Sequence, residues 1–293
     1  MHALTLARQR LRARIQHPST PQPVRLAHGM VEKGQSRFLP ILSSPIAQEI
    51  LARGYDARTL EQIYADRSSE QSLVGRMADR VVLDLPLHIG LRERFEATVG
   101  EICASAVLAV REGATEFRML FAPCGVGSDL RAVAERLRAD RPETFAALRF
   151  WGVDPDVDGH LLPQARRRAL AAGLKAEFLR EDLRRYRSVD AVVKQEGPFH
   201  LVSCVGASQT RTVAEMNSLV GQYTRALAPG GTLVIDRWQP VSNAGLGGGL
   251  GPQMTCHNAQ QFNAMLRSHG LTIEREHATG EGGNVVIVAR KAE

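Results

Sequence analysis

From about Gly113 onward, short apolar runs alternate with amphipathic stretches, and this alternation limits the chain to a small set of folds. Runs of this length are typical of buried strands, and the stretches between them are typical of helices. Strands that alternate with helices build a parallel sheet covered by helices. We therefore predict an α/β domain with seven strands, at residues 118–122, 148–153, 176–179, 200–205, 232–236, 271–276 and 284–290.

The segment between the fourth and fifth predicted strands has the clearest helical pattern. Its apolar residues recur at spacings of three and four, which places them on one face of a crossover helix. These residues are Val213, Met216, Leu219, Val220, Tyr223 and Leu227. The run Ala228-Pro229-Gly230-Gly231 then ends the helix. After the fifth strand, residues 243–251 are rich in glycine and form either a mobile active-site loop or a plain disordered connection.

The first part of the chain lacks this alternation and is predicted to be mostly helical. The predicted helices span residues 46–52, 58–65, 69–82 and 91–110. Pro40, Pro45 and Pro86 keep the early helices short, which favours an accessory cap that forms one wall of a substrate site. The predicted parts of the chain are a basic N-terminal arm at 1–27, a helical cap or substrate domain at 28–112 and the α/β domain at 113–293.

The net charge of +6 raises the question of nucleic-acid binding, because clustered Lys and Arg attract phosphates. The clearest cluster is the N-terminal arm, in which five arginines precede the first acidic residue, Glu32. They are Arg8, Arg10, Arg12, Arg14 and Arg25. The arm is interpreted as an RNA contact, a transit peptide or a solvated helix. Only 5% of the residues are aromatic, so few rings can stack on bases and nucleic acid is a disfavoured partner.

Several classes of protein are excluded by simpler features. No apolar run approaches the roughly 18 residues that a membrane span needs, and the N-terminus lacks the apolar block of a secretory signal. The cysteines are far apart and form no C-x-x-C pair, which argues against a zinc knuckle and a disulfide framework. They are Cys103, Cys124, Cys204 and Cys256. We expect a soluble, cytoplasmic protein with reduced thiols and no metal site.

The most informative motif runs from Met119 to Leu130, from a buried strand through a Gly-x-Gly turn into a helix. Glycines at such a turn let the backbone approach a ligand closely, and the helix adds free amides and a positive dipole end. The turn fits a dinucleotide site or an S-adenosylmethionine (SAM) site. The dinucleotide fingerprint needs a third small residue, and Leu130 occupies that position, which favours SAM.

Two acids follow the next two strands. Asp154 ends the second strand, where a carboxylate can accept hydrogen bonds from both ribose hydroxyls. It could instead cap a helix that begins near Val157. Asp182 follows the third strand and could accept a hydrogen bond from the adenine amine, while the amide of Leu183 reaches a ring nitrogen. The alternative for Asp182 is a surface acid that balances nearby arginines.

Taken together, these motifs resemble the class I SAM-dependent methyltransferase family over about residues 115–290. The matching stretches are 120–127, 152–154, 181–182, 199–205 and 227–235. The resemblance implies a Rossmann-like, seven-stranded methyltransferase sheet whose last two strands form an antiparallel hairpin. It also implies that the glycine turn faces the methionine end of SAM, the second-strand acid holds ribose and the third-strand acid recognises adenine. The cofactor-binding residues are then Pro123, Cys124, Gly125, Gly127, Asp154, Pro155, Asp182, Leu183 and Val205.

One departure from the family pattern concerns the end of the first strand. Family members usually carry an acid there and another glycine after it, whereas this chain has Phe121, Ala122 and Pro123. The carboxylate expected near the methionine ammonium is missing, and Pro123 removes a backbone donor. Either other groups, such as residues of the helical cap, hold the amino acid tail of SAM, or its amine is held less strongly as a cation.

The leading functional hypothesis is a methyltransferase of specialised metabolism that acts on a small molecule. The fourth strand is followed by residues 205–209, which lack the Asn/Asp-Pro-Pro-Tyr/Phe signature of many enzymes that methylate nucleic-acid amines. His257 and His88 are the candidate catalytic bases, since histidine titrates near neutrality. The sequence does not fix the oligomeric state, and a homodimer is one option.

Two other functions stay open. The missing first-strand acid favours an enzyme that uses SAM without moving its methyl group, and that releases methylthioadenosine by cyclisation to azetidine-2-carboxylate or by aminocarboxypropyl transfer. The basic arm favours an RNA- or protein-binding module that retains a vestigial SAM fold.

Overall fold

The computed structural model describes residues 44–239 and 255–293, apart from 69, 71, 184–186 and 281–282. The basic arm at 1–27, the first part of the predicted cap and the glycine-rich segment 243–251 therefore lie outside the described residues. The chain divides into two compact units between Ile89 and Gly90. None of the helices in the described ranges combines the length and the apolar content that crossing a membrane requires.

Short helices make up the described part of the first unit. They are α1 (Pro45–Arg53), α2 (Ala57–Ala65), α3 (Leu73–Leu83) and the start of α4 (Pro86–Arg111). Pro45 and Pro86 each stand at the first position of a helix, where the missing amide costs nothing. Asp79 is buried in α3 and accepts hydrogen bonds from the hydroxyls of Ser44 and Ser68, both at 2.5 Å. The use of this unit as a substrate domain stays a prediction.

The second unit begins at Gly90, inside α4, and contains the whole sheet. Its strands are β1 (Phe117–Phe121), β2 (Leu148–Asp154), β3 (Ala176–Arg180), β4 (Phe199–Cys204), β5 (Leu227–Trp238), β6 (Leu271–Ala278) and β7 (Asn284–Lys291). Its further helices are α5 (Ser128–Asp140), α6 (Pro142–Ala147), α7 (Leu161–Ala171), α8 (Arg187–Glu196), α9 (Val213–Ala226) and α10 (Ala259–Ser268). All seven predicted strands are present.

The strands form one sheet in the order β3-β2-β1-β4-β5-β7-β6. The first five are parallel, and β7 is antiparallel to both of its neighbours. The Rossmann-like, seven-stranded α/β prediction is therefore confirmed, including the antiparallel pairing of the last two strands. In this order the carboxyl ends of β1, β2, β3 and β4 lie along one edge of the sheet.

Alternating side chains of the central strands pack into two apolar layers. Leu120, Val202 and Leu233 face helices α8, α9 and α10 on one side of the sheet. Met119, Leu201 and Val234 face α4, α5 and α7 on the other. Because both faces are covered, these strands are continuous apolar runs, which is why the sequence pattern located them.

The start of β5 differs from the prediction. Ala228-Pro229-Gly230-Gly231 ends α9 as expected, but the same residues already belong to β5, which begins at Leu227 and not at Thr232. Main-chain acceptors in this stretch are paired across the sheet, since Lys291 Nζ donates to Leu227 O at 2.6 Å and Arg290 to Gly230 O at 3.0 Å. A proline and two glycines are tolerated there because long-range pairing outweighs local propensity.

Tyr223 connects α9 to the end of β1. Its hydroxyl is fully buried and donates to Ala122 O at 2.8 Å, while the amide of Ala122 donates to Ser203 O at 2.9 Å. Both backbone groups of Ala122 are therefore anchored directly before the glycine turn.

We predict that Tyr223→Phe lowers the free energy of unfolding by about 1–3 kcal/mol, because a buried carbonyl loses its donor. The measurement is equilibrium urea denaturation. Ser218→Ala removes an exposed hydroxyl from the same helix and should change stability by less than about 0.5 kcal/mol. Equal stabilities of Tyr223→Phe and the wild-type chain would show that this hydrogen bond does not anchor β1.

Candidate functional site

The glycine turn follows β1 and leads into α5. Gly125 and Gly127 have φ of +51° and +74°, in the left-handed region that residues with a Cβ rarely adopt. The amide of Gly127 donates to Cys124 O at 2.9 Å and closes the turn. Gly127 also precedes α5 and provides no side-chain cap, so the turn brings amides of the first helical turn to the sheet edge. This is the geometry that the motif predicted.

Asp154 lies at the end of β2, beside this turn. Its Oδ2 accepts a hydrogen bond from the Gly125 amide and its Oδ1 one from the Asp156 amide, both at 2.9 Å. Asp154 is 6% exposed. Burial raises the pKa of Asp154, and the two amide hydrogen bonds partly oppose this rise. The carboxylate therefore fixes the glycine turn against the end of the second strand.

The alternative role of Asp154, as a helix cap, is wrong. The next helix, α7, begins at Leu161 and not near Val157. Its N-cap residue is His160, and Asp156 caps the helix start from the preceding loop, where its carboxylate accepts hydrogen bonds from the amides of His160, Leu161 and Leu162 at 2.8–3.1 Å. These bonds lower the pKa of Asp156 against the opposing effect of burial. Asp156 has φ of +38°, which aspartate tolerates better than most residues.

Gly152 allows β3 to pack closely against the turn. A Cβ on Gly152 would lie 2.6 Å from a ring carbon of Phe178 and 2.9 Å from Cys124 Sγ. Burial raises the pKa of the Cys124 thiol well above its ordinary value, and the Asp154 carboxylate adds to the rise. A neutral thiol of this kind is a poor nucleophile, and the cofactor-binding role of Cys124 stays a prediction.

The remaining predicted cofactor residues lie at the same sheet edge. Asp182 and Leu183 follow β3, and the amide of Glu181 donates to Asp154 O at 3.1 Å, which holds the ends of β2 and β3 together. Leu183 is buried in the core, and Asp182 is partly buried. Pro123 follows β1, Pro155 follows β2 and Val205 follows β4. The structure therefore brings all nine residues to the carboxyl ends of four adjacent strands.

A buried ion pair that the sequence analysis missed lies at this edge. Arg94 Nη1 of α4 contacts Asp236 Oδ2 of β5 at 2.9 Å, and their side chains are 1% and 0% exposed. Asp236 Oδ1 also accepts from the Gly206 amide at 3.0 Å and from the Ser208 hydroxyl at 3.2 Å. The sequence feature that could have revealed this pair is Arg94 itself, a charged residue one turn from Leu91 on the otherwise apolar face of a predicted helix.

Asp129 also belongs to this neighbourhood and was not predicted. It lies in the first turn of α5, two residues after Gly127, and is partly buried. Burial raises its pKa to about 6; the Arg94 guanidinium lowers the pKa, and the Asp236 carboxylate raises it. One guanidinium and two carboxylates therefore interact at the end of the sheet.

The two candidate bases lie in different units. His257 is buried, its Nε2 lies 3.0 Å from Ser208 O, and its amide donates to Trp238 O at 2.8 Å. His88 is fully buried in the helical unit, where Nδ1 lies 2.6 Å from Val82 O and Nε2 lies 2.9 Å from the Tyr55 hydroxyl. These contacts position both rings in the fold, and the catalytic role of each stays a prediction.

Known proteins with this fold were identified through their structures. No protein-family model and no curated protein matches the chain. The chain is similar to a possible exported protein from Bordetella parapertussis, with a TM-score of 0.62 and 21% identity over 98% of this chain and 93% of the other. It is also similar to magnesium protoporphyrin IX methyltransferase from Synechocystis PCC 6803 with bound S-adenosylhomocysteine (SAH), with a TM-score of 0.53 and 17% identity over 84% and 98%.

An O-methyltransferase family protein from Burkholderia thailandensis has a TM-score of 0.50 and 16% identity, over 92% of this chain and 71% of the other. The chain thus has the fold of class I SAM-dependent methyltransferases. At these identities the comparison establishes the fold, and the activity has to be argued from the site.

We predict that Arg94→Met lowers the free energy of unfolding by about 3–5 kcal/mol, because Asp236 is left as a buried charge without its cation. Arg136→Met is the matched control, since Arg136 contacts Glu96 at 2.7 Å on the surface, where the two side chains are 40% and 62% exposed. The control should lose no more than about 1 kcal/mol in the same urea titration. Similar losses in both variants would contradict the distinction between the two pairs.

Proposed function

We propose that the chain is a SAM-dependent methyltransferase that acts on a small molecule. The observation that carries the proposal is the Asp154 carboxylate at the carboxyl end of β2, fixed by hydrogen bonds to the Gly125 and Asp156 amides. This arrangement supports a ribose-binding role for Asp154, because it holds the acid and the glycine turn next to each other. Two structurally similar proteins named above are methyltransferases, and one of them was crystallised with SAH.

The residues present fit SAM. Each oxygen of Asp154 accepts one amide hydrogen bond and keeps capacity for another, which is what two ribose hydroxyls require. Asp182 and the amide of Leu183 would recognise the adenine edge, while Gly125 and Gly127 would lie against the methionine end. When bound, SAM supplies a methyl group on a sulfonium, and the protein has to align an acceptor with that carbon.

If the acceptor must lose a proton, His257 is the favoured base of the two histidines. Ser208 O can only accept, so Nε2 of His257 carries the proton and donates at 3.0 Å. Nδ1 then has a free lone pair, and no described residue donates to it. His257 also follows β5 in the same unit as the cofactor residues, whereas His88 belongs to the helical unit. We further propose that the chain acts in specialised metabolism and is located in the cytoplasm.

A second candidate is an enzyme that releases methylthioadenosine from SAM. Phe121 favours it, because this side chain is buried in the core at the position where the family usually carries an acid. Mass spectrometry after incubation with SAM separates the two functions. Methylthioadenosine formed from SAM alone would support the second candidate, and SAH formed only with an added acceptor would support methyl transfer.

We predict that Asp154→Asn weakens binding of SAM and SAH at least tenfold, because the ribose hydroxyls lose charge-assisted hydrogen bonds worth about 1.5–3 kcal/mol. Isothermal titration calorimetry is the measurement. The wild-type chain should bind both compounds, and failure to bind either would end the proposal.

Asp156→Asn is the control for this variant. Asp156 is a neighbouring buried carboxylate, but its hydrogen bonds serve the start of α7. Its substitution should lower thermal stability and change SAH affinity by less than about threefold. An equal loss of affinity in both variants would assign the effect of Asp154→Asn to the loop rather than to ribose.

A further inference from the structure

The amino acid tail of SAM has no carboxylate partner at the end of β1. Phe121 and Ala122 are buried, and Pro123 lacks an amide hydrogen, so the end of β1 offers neither an acid nor a donor at these positions. An α-ammonium lying against the glycine turn would need a negative partner from another element.

Three charged groups near the turn, Arg94, Asp129 and Asp236, do not balance one another. Arg94 and Asp236 form a buried pair, and the two oxygens of Asp236 already accept three hydrogen bonds. Asp129 adds a second carboxylate that interacts electrostatically with both. Within the described part of the chain, no group donates a hydrogen bond to the Asp129 carboxylate. The cluster therefore carries one more negative than positive charge when all its groups are ionised.

Asp129 is the least buried member of this cluster. It is partly exposed and follows Gly127 by two residues, in the first turn of the helix that the glycine turn starts. Arg94 and Asp236 are closed off from solvent and hydrogen-bonded to each other. A cation that approaches along the turn would thus meet the Asp129 carboxylate.

We infer that Asp129 binds the α-ammonium of the amino acid tail of SAM and replaces the missing first-strand acid. This inference rests on the proposed function and adds to it the residue that recognises the tail. A bound primary ammonium would neutralise the excess negative charge and supply the hydrogen bonds that Asp129 lacks among the described residues.

The test compares two ligands that differ only in the tail. SAH carries the α-ammonium, whereas 5′-methylthioadenosine has the same adenosine and no amino acid. By calorimetry, Asp129→Asn should weaken SAH binding at least tenfold. Its affinity for methylthioadenosine should stay within about twofold of that of the wild-type chain. Asp140→Asn, which changes an exposed acid at the other end of α5, should alter neither affinity.

The outcomes separate the possible roles of Asp129. Unchanged SAH affinity in Asp129→Asn, or an equal loss for both ligands, would overturn the inference. A wild-type chain that binds methylthioadenosine no more weakly than SAH would also overturn it, while a chain that binds neither nucleoside would contradict the proposed function itself. Thermal unfolding of Asp129→Asn checks that the variant folds, and its melting temperature should be at least that of the wild-type chain. If Asp129 served only to interact with the helix dipole, the substitution would lower the melting temperature.

The pH dependence supplies a second readout. The pKa of Asp129 is about 6 without ligand, with Arg94 and Asp236 as the charged groups that act on it. Below this pH the carboxyl is protonated before binding, so SAH affinity relative to methylthioadenosine should fall about tenfold per pH unit. Asp154 affects both ligands alike and cancels in this ratio. The ratio should be independent of pH in Asp129→Asn, and a pH-dependent ratio there would overturn the inference.

Discussion

The carboxylate of Asp154 is the contact on which the proposed site depends. It ends β2, accepts one amide hydrogen bond from the turn after β1 and another from Asp156 in its own loop. Buried amides need partners, so these bonds fix both loops at the same time. Asp156, placed by this contact, in turn caps α7. A single acidic side chain thus sets the spacing between the glycine turn and the strand beside it.

The Arg94–Asp236 pair organises the other half of the edge. A buried ion pair adds little net stability, because desolvation of both charges offsets their attraction, but removing one partner is costly. Here the pair fixes α4 against β5 and orders the turn after β4 through Gly206 and Ser208. Ser208 O in turn accepts a hydrogen bond from His257 Nε2. The position of one candidate base therefore depends indirectly on Asp236.

The predictable part of the fold is the part set by local patterns. The central strands could be predicted because they are buried on both faces, and the positions of Gly125, Gly127 and Asp154 could be predicted because turns and strand ends leave compact motifs. The start of α7 was placed too early, since the capping bonds of Asp156 cannot be read from spacing. The Arg94–Asp236 contact joins residues 142 positions apart, and the role of Asp129 depends on that contact. The apolar face of α4 marks Arg94 as unusual, but local patterns do not identify its partner, because the tertiary fold determines that contact.

The most direct test of the central claim is a crystal structure of the chain soaked with SAH. Adenosine bound across the carboxyl ends of β1, β2 and β3, with both ribose hydroxyls within hydrogen-bond distance of the Asp154 carboxylate, is the expected result. An edge without ligand density at saturating SAH, or a ribose that contacts other groups while Asp154 points away, would contradict the claim.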